Sequence, residues 1–500
     1  MTDALHDLEL HLATIVDLRT AAAVLEWDQQ THMPPGGGEA RAHALTTLSR
    51  LAHEHSTSDE LGHLLDAVAQ GDLETEANTR ALLRVARRDY EHARKLPAAL
   101  VTAFTHATAI GPEIWQVARA TNDWNHFAPH LERIVDLTRQ VAERLGYAEH
   151  PYDALLDQYE PGTTTAQVRT MFAELREGLV PLVKKVLAKP KPAADSPLHQ
   201  PFSPEAQLAV AWQIALSWGF VADQGRQDRS VHPFCTSFGP HDVRITTRTH
   251  PNSLAPALFG TMHETGHGLY EQGIDPALAR SPLGQATSLG VHESQSRLWE
   301  NLVGRSLSFW RKHYPALQTA FPQLQATTLD QFYRAVNVVQ PSLIRVEADE
   351  LTYNLHILLR FELETGLVDG SIKVRDLPDL WRSKMEALVG STPPTDADGV
   401  LQDIHWSSGL IGYFPTYSIG NVLSVQLWEA AQRAEPGLAA ELAAGEYGTL
   451  LAWLRHNVHR HGSLLLPNEL IQQATGEPLN AKPYLRYLHA KFGELYGLDG

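Results

Sequence analysis

Apolar residues recur at every third or fourth position along almost the whole chain, and that spacing restricts the fold to packed helices. Leu8, Leu12, Ile15, Leu18 and Ala22 mark a first stripe that runs to Trp27, and Met33-Pro34-Pro35-Gly36-Gly37-Gly38 breaks it. Helix resumes from Glu39 to His53, and Leu82, Val85, Ala86, Tyr90 and Ala93 form a further stripe. Thr164 opens a helix whose apolar face is Val168, Met171, Leu175 and Leu179 and which Pro181 follows. Prolines 190, 192, 197, 201 and 204 exclude regular structure, so a loop should separate an N-terminal helical part, residues 1–188, from a second part, residues 205–500. Only Val243–Thr249 alternates with β-branched residues, and it predicts a strand. The expected class is therefore mostly α with one small β element. No internal repeat is visible, and the expectation is a single unit over 1–500.

Composition removes several function classes. With 43% hydrophobic and 20% charged residues the chain is not disordered. Acidic residues outnumber basic ones 58 to 41, a net charge of −17, which argues against a nucleic-acid partner. The two signs are interleaved, as expected of charge that keeps a protein soluble. No run of 18 apolar residues occurs, so no membrane span is expected. Cys235 is the lone cysteine, and Asp3, Asp7 and Glu9 do not suit a signal peptide. Both point to a cytoplasmic protein.

The chemistry concentrates at His263-Glu264-Thr265-Gly266-His267. On a helix, positions i and i+4 share a face, so the two imidazoles can reach one Zn²⁺ while Glu264 takes a proton from a water beside it. With 26 histidines the string alone is weak evidence; its helical setting is stronger. Asn252 or Ser253 should cap this helix, Leu254, Leu258, Phe259 and Met262 give it an apolar face, and Gly273 should end it. A catalytic zinc needs a third protein ligand. A third histidine in the metzincin pattern would fall at position 273, which is glycine. The next helix, opened by Ser288, offers His292 and Glu293. Adjacent helical residues point about 100° apart, so only one of them should face the metal.

Six blocks in one order resemble the M32 metallocarboxypeptidases, the carboxypeptidase Taq family. They are His232-Pro233-Phe234, Asp242-Val243-Arg244-Ile245-Thr246, the block at 263–267, His292-Glu293-Ser294-Gln295, Ile344-Arg345-Val346-Glu347-Ala348-Asp349 and Gly399 through Gln402-Asp403-Ile404-His405-Trp406. Trp27-Asp28, Tyr152 to Leu156, Tyr159 to Gly162 and the stretch from Trp453 through Pro483 extend the likeness to nearly the whole chain. The resemblance implies a large helical gluzincin-type peptidase with a deep groove and a metal at its floor. It implies release of single C-terminal residues from peptides, a homodimer, and zinc that cobalt can replace. Carried across, His263, His267 and Glu293 bind the metal and Glu264 is the general base.

A carboxypeptidase must also hold a free carboxylate, which arginine does with two parallel N–H bonds. Arg345, in an apolar stretch expected to be helical, is the first candidate and Arg244, on the strand, the second. The oxyanion needs a donor; related gluzincins use a histidine and a downstream tyrosine, here His405 with Tyr413 or Tyr417. Cys235 lacks a convincing base partner and reads as a buried, inert thiol. An oligopeptidase or dipeptidyl-carboxypeptidase with the same metal site, and a non-catalytic helical peptide binder, are the alternatives.

Overall fold

The computed structural model describes residues 2–71, 76–190 and 196–498. Helix makes up 70% of it, as the apolar spacing requires. The chain divides into two compact units, Met1–Arg94 with Asp195–Val336 and Leu427–Pro478, and Lys95–Ala194 with Asn337–Gln426 and Leu479–Gly500. The proline-rich stretch does not separate them, because each unit draws on chain from both sides of it. Around that stretch Pro190 lies just past the helix Thr165–Leu187, Pro197 sits in a 3₁₀ turn and Pro204 opens a helix, while Pro192 lies outside the described residues. Pro181 does not end the earlier helix, which continues to Leu187.

In the first unit a small sheet forms from β1 (Gly225–Arg229), β2 (Cys235–Ser237) and β3 (Val243–Thr247), in the order β1-β3-β2. β1 runs parallel to β3 and β2 antiparallel to it. Val243 and Ile245 are fully buried, as alternation demands, but Thr246 and Thr247 are buried too. The metal helix, Ala255–Glu271, packs on β2, β3, the helix Pro204–Ser217 and the helix Leu289–Arg297. Neither Asn252 nor Ser253 caps the metal helix; Leu254 precedes it without a side-chain cap, and a proline occupies its first turn. Pro256 has no N–H to satisfy there, and buried Leu254 is fixed by its own N–H to the Leu198 carbonyl at 2.9 Å.

The connection between the metal helix and Leu289–Arg297 is two 3₁₀ turns, Pro276–Leu278 and Pro282–Gly284. Its Leu278 and Leu283 bury themselves in the N-terminal apolar cluster of Leu8, Leu12, Ile15, Leu61 and Leu65. Each such leucine contributes about 1.5–3 kcal/mol, so the N-terminal helices hold the link that brings the second helix back.

The second unit is built around the helix Tyr353–Asp369, which is buried on nearly every side as a central helix is. Within it Asn354, His356, Arg360 and Glu364 are also completely buried. Buried charge needs partners, and those partners make the polar cluster described below.

Candidate active site

In the first unit His263, His267 and Glu293 each offer a ligand atom, all within 4.8 Å of one another. His263 and His267 stand one turn apart, with rings 4.9 Å between centroids. Their Nε2 atoms lie 3.5 and 3.4 Å from the same oxygen, Glu293 Oε2. Two imidazoles and a carboxylate converging through their lone-pair atoms are a donor set that suits a zinc-type divalent cation.

Gly266 lets this happen. A Cβ there would stand 2.6 Å from the Gln295 carbonyl oxygen and 2.6 Å from Ser296 Cα. The two helices touch backbone to backbone at that point, which brings Glu293 within reach of the histidines. Ser288 caps the second helix as expected, its side chain accepting from Val291 N at 3.1 Å.

His292 does not join the group; its Nε2 bonds Glu271 Oε1 at 2.8 Å and its Nδ1 meets His267 Nδ1. Arg297 Nε donates to Glu293 Oε1 at 2.7 Å. After Arg297 the helix continues as a π-turn, Leu298–Val303, which carries Glu300. Glu300 Oε2 accepts from His263 Nδ1 at 3.0 Å and from Arg297 at 3.2 Å, and its Oε1 accepts from Arg305 at 3.0 Å.

Burial raises Glu264 to about 7; His263 draws it down and Glu293 pushes it up. Burial, which alone would raise Glu293 and Glu300, is overcome in both cases by neighbouring cations, and both carboxyls sit well below the usual range. Burial also lowers His267 to about 3, with His292 adding to the shift. For His263 burial is outweighed by Glu293 and Glu300, and its pKa is raised.

Arg244 is on β3. Its fork is taken by Asp242, at 2.8 Å through Nε and 2.9 Å through Nη2, and its guanidinium stacks on Trp27 and Phe238. Half-buried Cys235 has its thiol pushed well up by burial and by the Glu271 and Glu264 charges. That is the character of an inert thiol.

The second unit brings Arg345, His405, Tyr413 and Tyr417 together. Arg345 is not on an α-helix but in a 3₁₀ turn, Arg345–Glu347, where the chain bends to meet Gln402: its N–H donates to Gln402 Oε1 at 2.8 Å. The buried guanidinium bonds Asp403 Oδ1 at 2.9–3.0 Å and the Tyr353 hydroxyl at 2.9 Å, and lies 5.1 Å from the Tyr417 ring centre. His405 Nε2 is 3.2 Å from the Tyr417 hydroxyl, and the Tyr413 ring lies 5.5 Å from the imidazole. Burial, then Arg345, lower His405 to about 3, so it is neutral at pH 7.

Arg360 completes this cluster. It donates to Asp403 Oδ2 at 2.7 Å and to Gln402 Oε1 at 2.7 Å. Two buried guanidiniums therefore share one carboxylate. Sequence reasoning missed Arg360, Tyr353, Glu300 and Arg305. Arg360 had a signal, a lone cation amid the apolar run from Leu355 to Leu367. Glu300 had none, because its role depends on the π-turn.

Comparison with known proteins shows the family. The model of the family described as carboxypeptidase Taq (M32) metallopeptidase matches residues 7–492. Thermostable carboxypeptidase 1 of Thermus thermophilus is 42% identical over 492 residues, 96% of each chain. Carboxypeptidase 1 of Bacillus subtilis is 39% identical over 477 residues, 95% of each. The crystal structure of the M32 carboxypeptidase from Deinococcus radiodurans R1 superposes with a TM-score of 0.97 at 44% identity, covering 99% of this chain and 100% of that one. Likeness of this extent, over chains of the same length, places the protein in the M32 family as a metallocarboxypeptidase.

Proposed function

We propose that this enzyme releases single amino acids from the free C-terminus of peptides, with Zn²⁺ held by His263, His267 and Glu293 and with Glu264 as general base. The observation that carries the reading is the convergence of those three ligand atoms on one point in a chain of this family. When bound, Zn²⁺, or Co²⁺ in its place, supplies a Lewis acid for the scissile carbonyl and lowers the pKa of a water.

Glu264 lies between the two histidine ligands in sequence without being one of them. It takes the proton of the attacking water and hands it to the leaving amine. Neutral His405, with Tyr413 or Tyr417, donates hydrogen bonds to the developing oxyanion. Arg345 binds the terminal carboxylate; it shares Asp403 with Arg360, so it has no carboxylate to itself, which supports this role. Arg244, already forked onto Asp242, is the second candidate. The whole chain, 1–500, with its N-terminal part (1–188) and catalytic part (205–500), works as one catalytic unit, in a cytoplasmic homodimer. No helix among the described residues is long and apolar enough to cross a membrane.

Mass spectrometry of a peptide ladder tests this, with free-acid and C-terminally amidated forms of one peptide, with and without chelator. One-residue steps from the free acid alone, abolished by chelator, are expected. Glu264→Gln should retain its metal and lose about 10²–10⁴-fold in turnover. Cleavage of both forms at internal bonds, or near-normal turnover by the variant, would remove the proposal.

A further inference from the structure

Each histidine at the metal centre makes a second contact, and the two contacts follow one logic. A neutral imidazole carries one N–H and one lone pair, and the partner of one nitrogen decides which is which. Glu300 Oε2 lies 3.0 Å from His263 Nδ1. An ionised carboxylate only accepts, so the proton is on Nδ1 and the Nε2 lone pair is free to face Glu293. His267 lacks a carboxylate at this position; it has His292. Glu271 Oε1 lies 2.8 Å from His292 Nε2. That puts the His292 proton on Nε2 and leaves its Nδ1 to accept from His267 Nδ1–H. The His267 and His292 rings are 28° from coplanar, as an edge-to-edge bond needs. The His267 Nε2 lone pair is thereby turned toward Glu293 as well. Glu300 itself is held on both oxygens, by Arg297 and by Arg305, and Arg305 is tied to the Val336 carbonyl at 2.8 Å.

We infer that Glu300, directly, and Glu271, through His292, are positioning residues that hold both histidine ligands in the Nδ1–H form with Nε2 presented to the cation. This rests on His263, His267 and Glu293 being the metal ligands. Outer partners of this kind are worth about 10–100-fold in metal affinity. Glu300, one bond from its ligand, carries the larger effect.

The test is the dissociation constant for Zn²⁺, measured by competition with a chromophoric chelator on stripped and refilled protein. The visible spectrum of the Co²⁺-loaded form is recorded beside it. Glu300→Ala should weaken Zn²⁺ binding by about 10–100-fold and alter the Co²⁺ bands, and Glu300→Gln, which keeps an acceptor oxygen, should recover part of the loss. Glu271→Ala should weaken binding by about threefold or more. Binding within about twofold of wild type in both Glu300→Ala and Glu271→Ala overturns the inference, as does a loss in Glu300→Ala with unaltered Co²⁺ bands and no recovery in Glu300→Gln, which would mark a structural role. If Glu300→Ala does not fold, Glu300→Gln and Glu271→Ala decide. Unchanged Zn²⁺ affinity in His263→Ala would instead remove the metal-centre reading itself.

Discussion

The candidate metal centre of the first unit and the guanidinium cluster of the second are both buried networks of charge, but they are unbalanced in opposite senses. Around His263 and His267, Glu293 and Glu300 are matched by Arg297 and Arg305, and Glu264 and Glu271 come in addition. In the second unit Arg345 and Arg360 share Asp403, and the further buried carboxyl, Glu364, has its pKa lifted to about 7 by burial, so it carries only part of a charge at neutral pH. Buried charge is costly unless paired, so under the proposed function a ligand of opposite sign offsets the surplus in each network. The first network suits a divalent cation and the second a carboxylate. They also differ in assembly. The first comes from two consecutive helices meeting at Gly266. The second needs three separate pieces: the turn at Arg345, the helix carrying Arg360 and the segment from Gln402 to His405.

The largest break should come from the second network. Asp403→Asn leaves two buried guanidiniums without their shared carboxylate, and folding should lose about 3–5 kcal/mol. Urea denaturation measures it. A loss under about 1 kcal/mol would mean that the arginines find another counter-charge and that the imbalance is not real.

Glu364 sharpens the contrast through pH. Burial lifts it from 4.5 to about 7, against bonds donated by Tyr152, Trp406 and the Gly412 N–H. Between pH 4.5 and 7 the folded chain keeps a proton that the unfolded chain has released. Its contribution is complete below pH 4.5 and disappears as pH rises through 7, and it amounts to about 3 kcal/mol. Stability measured from pH 5 to pH 8 should fall by that amount relative to Glu364→Gln; parallel curves for the two proteins would refute it.

Gly266→Ala probes how the first network is assembled. The new methyl meets backbone rather than a flexible side-chain end, so one helix must move, at about 1–3 kcal/mol. Zinc content should fall with stability. Full metal content would show that the contact has slack.

Arg345→Ala is the smallest energetic change and the most specific. It should lower kcat/KM by about one to two orders of magnitude, on about 1.4 kcal/mol per tenfold. The loss should not add to that caused by amidating the substrate. Persisting acid-over-amide preference in the variant would pass the role to Arg244.

The helical class, the strand Val243–Thr247 and the helix Ala255–Glu271 were legible along the chain because each rests on local periodicity, whereas the two strands that flank Val243–Thr247, Gly225–Arg229 and Cys235–Ser237, carry no such signal. The Ser288 cap needed only a helix start. The proline-rich stretch shows where a helix stops, and a loop by itself does not show which helices pack together. Arg345 was legible as chemistry but not as structure: a short apolar run looks helical, yet its N–H goes to Gln402, far along the sequence. Sequence by itself determined which side chains could do chemistry, His263, Glu264 and His267 above all, because i and i+4 on one helix are neighbours whatever the rest of the chain does. Spacing left His292 and Glu293 both open and the family resemblance chose Glu293; tertiary structure alone decided that Glu300 backs His263 and that Arg360 shares Asp403. Those contacts join segments whose approach is set by close packing, such as backbone against backbone at Gly266, and no periodicity encodes it.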